Sequence, residues 1–190
     1  MRSRRAGVPA YTRSKTLAER AAWEFATAHG LHLTTINPGL VLGPPLDGNF
    51  GSSVGLVRRL LRGKDPMMPD VGFPVVDVRD VAEAHLRALD RPETAGLRIP
   101  AVAGSLTMPQ MGRELKRLYP NRRIPTRTAP VLLLRLLSVF DRSIRTILPD
   151  IGHHPQVSND RARQALDLRF TSAEGALRAT AEWLVKEGKV

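Results

Sequence analysis

The chain has 190 residues, of which 42% are hydrophobic and 25% are charged, a balance typical of a soluble globular protein. It contains no cysteine, which excludes disulfides and thiolate metal sites. The formal net charge of +11 raises nucleic acid as a partner, but the arginines are scattered and few aromatic residues are present to stack on bases, so nucleic acid binding is disfavoured.

The sequence shows neither a secretory signal nor a membrane span. Its opening, MRSRRAGVPA, is basic but has no apolar stretch behind it. The most apolar run, Pro130 to Leu137, contains Arg135 and is far shorter than the roughly 20 apolar residues that a span needs. Together with the lack of cysteine, these features predict a cytoplasmic protein.

The first predicted element is a helix from Tyr11 to Ala28, which His29-Gly30 ends. Its expected buried face collects the apolar residues that recur at steps of three and four, which are Leu17, Ala18, Ala21, Ala22, Phe25 and Ala28. An alternating strand follows over residues 31–36 and resumes over residues 40–42, after the turn Asn37-Pro38-Gly39.

The same alternation continues through the middle of the chain. The patterns predict a helix over 54–61, a strand over 73–78, a helix over 81–89 that begins after an Asp80 cap, and a strand over 96–104. Further helices are predicted over 108–118 with Thr107 as cap, 131–140 with an optional extension to 147, 158–166 and 172–186. Alternating strands and helices imply a parallel sheet covered by helices, but the strands are too few to complete it. The predicted fold is an incomplete doubly wound α/β unit with a mainly helical C-terminal part.

A tyrosine and a lysine stand four positions apart at the start of the first helix, in the stretch AYTRSKTLAER. On a helix, Tyr11 and Lys15 share one face, so the phenol and the ammonium group can reach the same pocket. A neighbouring cation stabilises a phenolate, and such a tyrosine can exchange a proton with a carbonyl or alcohol oxygen. The spacing alone also occurs by chance on many helix surfaces, so an ordinary surface pair stays open as the alternative.

Five blocks occur in a defined order along the chain: YTRSKTLAERAAWEFA, INPGLVLGPPL, FPVVDVRDVAEAHLRAL, GLRIPAVAGSLTMPQMGRELKRLYP and VSNDRARQALDLRFTSAEGALRATAEWL. In this order they resemble the extended short-chain dehydrogenase/reductase family, also called the epimerase/dehydratase superfamily, and within it the dihydroflavonol-reductase-like branch. The resemblance implies a Rossmann-type sheet with a helical substrate lobe. It also implies hydride transfer between NAD or NADP and a carbonyl or secondary alcohol of a small, hydrophobic substrate.

The resemblance further implies roles for particular residues. Tyr11 is expected to be the general acid/base, and Lys15 is expected to assist it and to bind the nicotinamide ribose. The nicotinamide end of the cofactor would be lined by Pro38, Gly39, Leu40 and Val41, and the substrate pocket would be shaped by Asn49, Ser52 and Ser53. No metal is expected, since the His153-His154 pair has no acidic or cysteine companions nearby.

The same resemblance divides the chain into four segments. Residues 1–45 would hold the active-site helix and the strand after it, and residues 46–72 an insertion of the substrate lobe. Residues 73–104 would return to the Rossmann sheet, and residues 105–190 would form the C-terminal helical substrate lobe.

The glycine-rich turn with which this family holds its dinucleotide has no counterpart here. The glycines between Gly48 and Gly55 follow a loop instead of a strand, and their spacing differs. We therefore expect a truncated family member that binds its cofactor weakly or not at all by itself. An open sheet edge and apolar faces would invite a partner, either the missing N-terminal half or a second copy of the chain.

Other functions stay open at this point. A nucleotide-sugar epimerase or dehydratase would share the machinery, and a non-catalytic remnant would bind a partner or nothing. The apolar helix over 131–140 is expected to pack on the sheet or to cover the substrate pocket. Docking on a membrane surface is the less favoured alternative, with Leu132, Leu133, Leu136, Leu137 and Phe140 beside Arg135, Arg142 and Arg145.

Overall fold

The computed structural model describes residues 10–190, without the side chains of Arg142 and Ser143. The basic segment 1–9, in which no secretory signal is expected, lies outside the described residues. In chain order the elements are α1 (Ala10–Ala28), β1 (Thr35–Pro38), β2 (Leu40–Leu42), α2 (Ser52–Arg62), β3 (Gly72–Asp77), α3 (Val78–Leu89), β4 (Arg98–Ala101), β5 (Gly104–Thr107), α4 (Met108–Leu118), α5 (Val131–Leu137), α6 (Arg142–Ile147), α7 (Asp160–Leu166) and α8 (Ala173–Lys186). Among these residues, no helix is long and apolar enough to cross a bilayer.

The strands form two small sheets. β1 pairs in parallel with β4, so that Ile36 lies opposite Ile99. β2 pairs in parallel with β3, and β5 joins the other side of β3 in the antiparallel direction. The α/β class with parallel pairing and covering helices is confirmed. Within the segment 73–104, however, it is β4 that returns to the first sheet, whereas β3 belongs to the second.

Gly39 lies where the chain passes from one sheet to the other. A Cβ atom at this position would stand 2.4 Å from the carbonyl oxygen of Pro74 in β3. The glycine is therefore required by the close approach of two strands, independently of any ligand.

Helices α2, α4 and α8 bury the main core against the second sheet. This core includes Val57, Leu60, Val75, Leu115, Leu177 and Leu184, each no more than 1% exposed. A smaller cluster fills the space between α3, α7 and the first sheet, with Ala84, Ile99, Ala162, Leu166 and Leu168. More buried apolar side chains therefore pack against the second sheet than against the first.

Several predicted boundaries shift in the structure. The strand expected over 31–36 is wrong in position, since β1 begins at Thr35. The N-cap of α3 is Asp77 instead of Asp80, because the Asp77 carboxylate accepts a hydrogen bond from the backbone N–H of Arg79 and the helix begins at Val78. The strand expected over 96–104 contains β4 and only the first residue of β5. The helix expected over 131–140 ends at Leu137, and a turn separates it from α6, which lies in the optional extension to 147. The Thr107 cap of α4 is confirmed as a capping box with Gln110.

The two edges of the first sheet differ. On the outer edge of β4, Arg161 Nη1 donates to the Arg98 carbonyl at 2.9 Å and Asn159 Nδ2 donates to the Val102 carbonyl at 2.8 Å. The carbonyls of Leu97 and Ala101 point toward β1. Because backbone groups alternate along a strand, the backbone nitrogen of Pro100 faces the outer edge of β4, where the lack of an N–H breaks no strand pairing. Within residues 10–190, no strand pairs with the outer edge of β1.

The predicted buried face of α1 is also wrong. Leu17 and Phe25 are 52% and 57% exposed, and the side chains that face the body of the protein are Glu19, Trp23 and Ala26. The apolar periodicity of α1 is present in the sequence, but no described part of the chain covers that face.

Candidate active site

A carboxylate fixes the position of α1 over the first sheet. Glu19 Oε1 accepts hydrogen bonds from Arg98 Nε at 2.7 Å and from Thr35 Oγ1 at 3.2 Å, and Glu19 Oε2 accepts one from Asn37 Nδ2 at 3.2 Å. The Arg98 hydrogen bond and charge lower the pKa of the Glu19 carboxyl, although partial burial opposes the shift. Helix, strand β1 and strand β4 are thus joined at one point.

Tyr11 and Lys15 lie two turns and one turn before Glu19 on the same side of α1, with Lys15 nearer to Glu19. Positions four apart lie above one another on a helix, so Tyr11, Lys15 and Glu19 project from nearly the same side of α1. Lys15 Nζ stands 5.8 Å from the centroid of the Tyr11 ring, and both side chains are exposed. Lys15 has no hydrogen bond or ion pair within the part of the chain that the structure describes, so its three donors are open to a ligand.

The contacts of α1 show that it runs opposite to β1. Leu31 N donates to the Ala26 carbonyl, and farther back on the helix Glu19 meets Thr35 and Asn37. Lys15 therefore lies about 6 Å beyond Glu19 along the helix axis, a distance that corresponds to about two strand residues. This places Lys15 level with the chain just after Asn37, at the carboxyl end of β1, which is where open α/β sheets bind ligands.

A pocket of about 430 Å³ opens at the carboxyl end of β2. Val41 contributes to its wall, as do Asn49 and Ser53 from the loop and first turn that lead into α2. Most of the other lining residues are apolar: Leu42, Pro45, Leu46, Phe50, Val54 and Val78. An apolar pocket with a few polar groups is suited to a small hydrophobic molecule.

Buried polar groups shape the turn at the base of this pocket. Gly43, at φ +113°, leaves no room for a side chain, since a Cβ atom would stand 3.0 Å from Asp77 Oδ1 and 2.9 Å from Val78 Cγ1. The Gly43 N–H donates to Thr180 Oγ1 of α8 at 2.7 Å, and the Thr180 hydroxyl is within 2.9 Å of the Ala176 carbonyl. The last helix therefore holds the turn that shapes the pocket.

The two neighbouring aspartates of α3 have opposite pKa shifts. Burial of Asp77 opposes its ionisation, but the hydrogen bonds and charge of Arg79 outweigh this and lower the pKa. Burial raises the pKa of Asp80, despite its hydrogen bonds from the backbone N–H and hydroxyl of Thr171, and the charge of Asp77 adds to the rise. Both carboxylates are occupied by structural partners.

The predicted site residues fall into two groups. Tyr11 and Lys15 lie together on α1, and Val41 shares the pocket with Asn49 and Ser53. The side chain of Ser52 is exposed and does not line this pocket, and Pro38 is exposed while Gly39 and Leu40 are partly buried. The structure gives no direct contact between Lys15 and the segment 38–41.

Two histidines have hydrogen-bonding partners among the described residues. His85 Nδ1 lies 2.7 Å from the Val81 carbonyl one turn earlier in α3. His154 Nε2 lies 2.9 Å from Asp70 Oδ1.

Three residues near the site were missed in the sequence. Glu19 belongs to the same four-residue row as Tyr11 and Lys15, and this spacing was the signal that could have found it. Asn37 Oδ1 is buried and lacks a hydrogen-bond partner within the described residues. Thr180 gave no signal, because its partner Gly43 is 137 positions away.

Residues 7–99 match the NAD dependent epimerase/dehydratase family. Over this stretch, which is just under half of the chain, the sequence has the pattern of that family. The match includes α1 with Tyr11 and Lys15, both sheets' first strands and the pocket loop, which is the part of the chain that carries the candidate site.

The curated relatives are reductases of the branch that the five sequence blocks resemble. Cinnamoyl-CoA reductase CAD2 of Medicago truncatula is 32% identical over 179 residues, which are 94% of this chain and 48% of that protein. An anthocyanidin reductase of Vitis vinifera is 32% identical over 124 residues, 61% of this chain and 36% of that protein. The chain therefore spans about half the length of the curated relatives it matches.

Solved structures confirm the Rossmann-type architecture. The yeast methylglyoxal/isovaleraldehyde reductase Gre2, complexed with NADPH, superposes with a TM-score of 0.72 and 27% identity over 95% of this chain and 52% of Gre2. A nucleoside-diphosphate-sugar epimerase from Pseudomonas aeruginosa superposes with a TM-score of 0.77 at 21% identity, over 99% of this chain and 59% of the epimerase, which is a likeness of fold alone.

Proposed function

We propose that this chain carries the proton-transfer helix and the substrate lobe of an NAD(P)-dependent reductase that acts on a carbonyl or secondary alcohol of a small, apolar substrate. The observation that carries the proposal is the Tyr11–Lys15 pair, which stands at the carboxyl end of β1 on a helix anchored through Glu19. The two curated relatives named above are reductases, which favours this reaction over epimerisation of a nucleotide sugar.

The residues present suit one end of the cofactor. Lys15 offers free donors for ribose hydroxyls, and the segment from Pro38 to Val41 would lie beside the nicotinamide ring. When bound, the dinucleotide supplies or accepts the hydride. The Tyr11 hydroxyl would hold and transfer the proton at the substrate oxygen, and the Lys15 ammonium would stabilise the negative charge left on the phenol.

The described residues do not suit the other end of the cofactor. β2 and α2 are separated by the loop of residues 43–51, so the glycines of this stretch do not form the strand–turn–helix cradle that holds a pyrophosphate. We infer that tight cofactor binding needs a nucleotide-binding half placed against the open edge of β1. The unpaired outer edge of β1 and the exposed apolar face of α1 support this inference.

A two-stage experiment tests the proposal. NADPH is titrated first against the purified chain while the nicotinamide fluorescence is followed, and we expect weak or undetectable binding. The chain is then joined to a nucleotide-binding half, taken either from the reading frame upstream of Met1 or from the Medicago relative. Micromolar NADPH binding and reduction of apolar aldehydes should appear in the joined protein. A joined protein that binds NADPH but leaves every carbonyl substrate unreduced would contradict the reductase assignment.

A further inference from the structure

Helix α5 and the turn that follows it expose an apolar surface. Leu132, Leu136, Val139 and Phe140 are 79%, 63%, 64% and 86% exposed, and we call these four residues the α5 patch. On the opposite side, Leu134 and Ser138 are buried at 6% and 8%. An apolar ridge of this kind usually marks an interaction surface.

The spacing of these residues makes the ridge continuous. At about 100° per residue, Leu136 points directly away from the buried pair, and Leu132 and Phe140 flank it on either side. Leu133 and Leu137 extend the ridge along one flank and remain 38% and 41% exposed. The expectation that this helix packs on the sheet is therefore wrong, because only one of its leucines, Leu134, is buried.

The same helix does not cover the pocket beside Val41, since none of the residues that line this pocket comes from α5. The segment before α5 is fixed elsewhere: Met68 N donates to the Arg127 carbonyl, and Ala129 N donates to the Met68 carbonyl. The α5 patch thus lies apart from the lining of that pocket.

Cations surround the α5 patch. Between residues 127 and 147 the sequence has one acidic residue, Asp141, and four arginines, which are Arg127, Arg135, Arg142 and Arg145. Arg145 donates to the carbonyls of Ser138 and Val139, both at 3.1 Å, which places its guanidinium beside the patch. Asp141 interacts electrostatically with Arg59. The surroundings of the apolar ridge are therefore positively charged, as is the whole chain at +11.

We propose that the α5 patch docks this protein on the surface of an anionic lipid bilayer. Leu132, Leu136 and Phe140 would enter the interface, while Arg135 at the rim and Arg145 would contact headgroup phosphates. With seven residues, α5 is too short to span a bilayer, so the contact is confined to the interface.

Charge favours a bilayer over a second copy of the chain as the occupant of this surface. A two-fold contact through the patch would bring the same residues of two chains together, and each chain carries a net charge of +11. Such a contact would place arginines near their own copies, whereas an anionic surface would neutralise them.

Vesicle flotation tests the proposal with the full chain. Vesicles of phosphatidylcholine with about one third phosphatidylserine should carry the protein upward, pure phosphatidylcholine much less, and salt should weaken the binding. The variant Leu132→Ser/Leu136→Ser should bind at least tenfold more weakly, since each leucine removed from an apolar phase weakens partition by roughly tenfold. The matched control is Leu86→Ser/Leu89→Ser in α3, where the two leucines are 59% and 82% exposed; this variant should float like the unaltered chain.

A second variant keeps the test independent of any loss of folding. Phe140→Trp adds a third tryptophan, on the patch. Compared with the unaltered chain, which has Trp23 and Trp183, the variant should show an additional blue shift of emission with anionic vesicles and stronger quenching by brominated lipid. Flotation of the α5 variant equal to that of the unaltered chain would overturn the proposal. The proposal would also be overturned if the unaltered chain remained at the bottom of the gradient, away from the vesicles. Dimers that form through Leu132 and Leu136 without vesicle binding would overturn it as well.

Discussion

The carboxylate of Glu19 on α1 and the guanidinium of Arg98 on β4 meet at 2.7 Å above strand β1. The same carboxylate accepts hydrogen bonds from Thr35 and Asn37, so a single side chain holds α1 against both strands of the first sheet. Because Lys15 and Tyr11 occupy the next two turns, this contact orients the candidate catalytic pair. Glu19 is a positioning residue in this arrangement.

Replacing Glu19 by alanine should loosen α1. Three donors lose their acceptor, and we expect the free energy of unfolding to fall by about 1–2 kcal/mol, with a small share from Arg98 because that side chain is largely solvated. Urea unfolding measures the loss, and amide exchange should rise within α1. Glu24→Ala, an exposed change on the same helix, serves as the control and should leave both measurements unchanged.

Removing the hydroxyl of Tyr11 should abolish proton transfer. In the joined, cofactor-binding protein, Tyr11→Phe should lower kcat by about 100-fold or more with little change in NADPH affinity, because the ring remains and only the proton donor is lost. Lys15→Met should weaken NADPH binding as well. Tyr119→Phe changes the other tyrosine of the chain and should retain full activity. A Tyr11→Phe variant with the kcat of the unaltered protein would exclude Tyr11 as the acid/base.

Gly39→Ala should destabilise the chain in the absence of any cofactor. Its Cβ atom would meet the Pro74 carbonyl oxygen at 2.4 Å, and the strands must move apart, at a cost of about 1–3 kcal/mol. Gly55→Ala is the matched change: nothing lies within 4 Å of its Cβ position inside α2, and it should stabilise the chain by about 0.5–1 kcal/mol. The melting temperature should therefore fall for Gly39→Ala and rise for Gly55→Ala, relative to the unaltered chain.

Thr180→Val should test the link between α8 and the pocket turn. Valine has the same shape as threonine but leaves the buried Gly43 N–H without its acceptor, which should cost about 1–3 kcal/mol. Thr180→Ser keeps the hydroxyl and should recover most of the loss in urea unfolding. A valine variant as stable as the unaltered chain would show that the hydrogen bond contributes nothing.

The raised pKa of Asp80 predicts a pH dependence of stability. A carboxyl whose pKa is higher in the folded state binds its proton more tightly there, so its contribution to stability is present at low pH and is lost as pH rises through the folded pKa. Asp80→Asn removes this loss while keeping an acceptor for Thr171. As pH rises from the ordinary pKa of an aspartate through the raised pKa of Asp80, the stability of the Asp80→Asn variant relative to the unaltered chain should therefore increase. Asp80→Ala, which lacks the acceptor, should be less stable than Asp80→Asn at every pH.

The sequence by itself determined the parts that rest on local patterns and on ordered motifs. The alternation of helices and strands gave the α/β class, and the Thr107 cap was identified from residues that are neighbours in the chain. Tyr11 and Lys15 were found for the same reason, since helical spacing alone places them together. The five blocks identified the family because their order along the chain is itself a sequence property.

Only the tertiary structure decided what depends on contacts between distant segments. Apolar periodicity marks a face that is able to be buried, but burial needs a partner segment from elsewhere in the fold, and Leu17, Phe25, Leu132 and Leu136 remain more than half exposed. The cap of α3 is Asp77, whose carboxylate accepts from the Arg79 N–H, whereas Asp80 lies inside the first turn and accepts from Thr171, 91 positions later. Gly39 is needed against Pro74, and Thr180 holds Gly43 across 137 positions, since a fold brings together side chains whose separation in sequence carries no pattern.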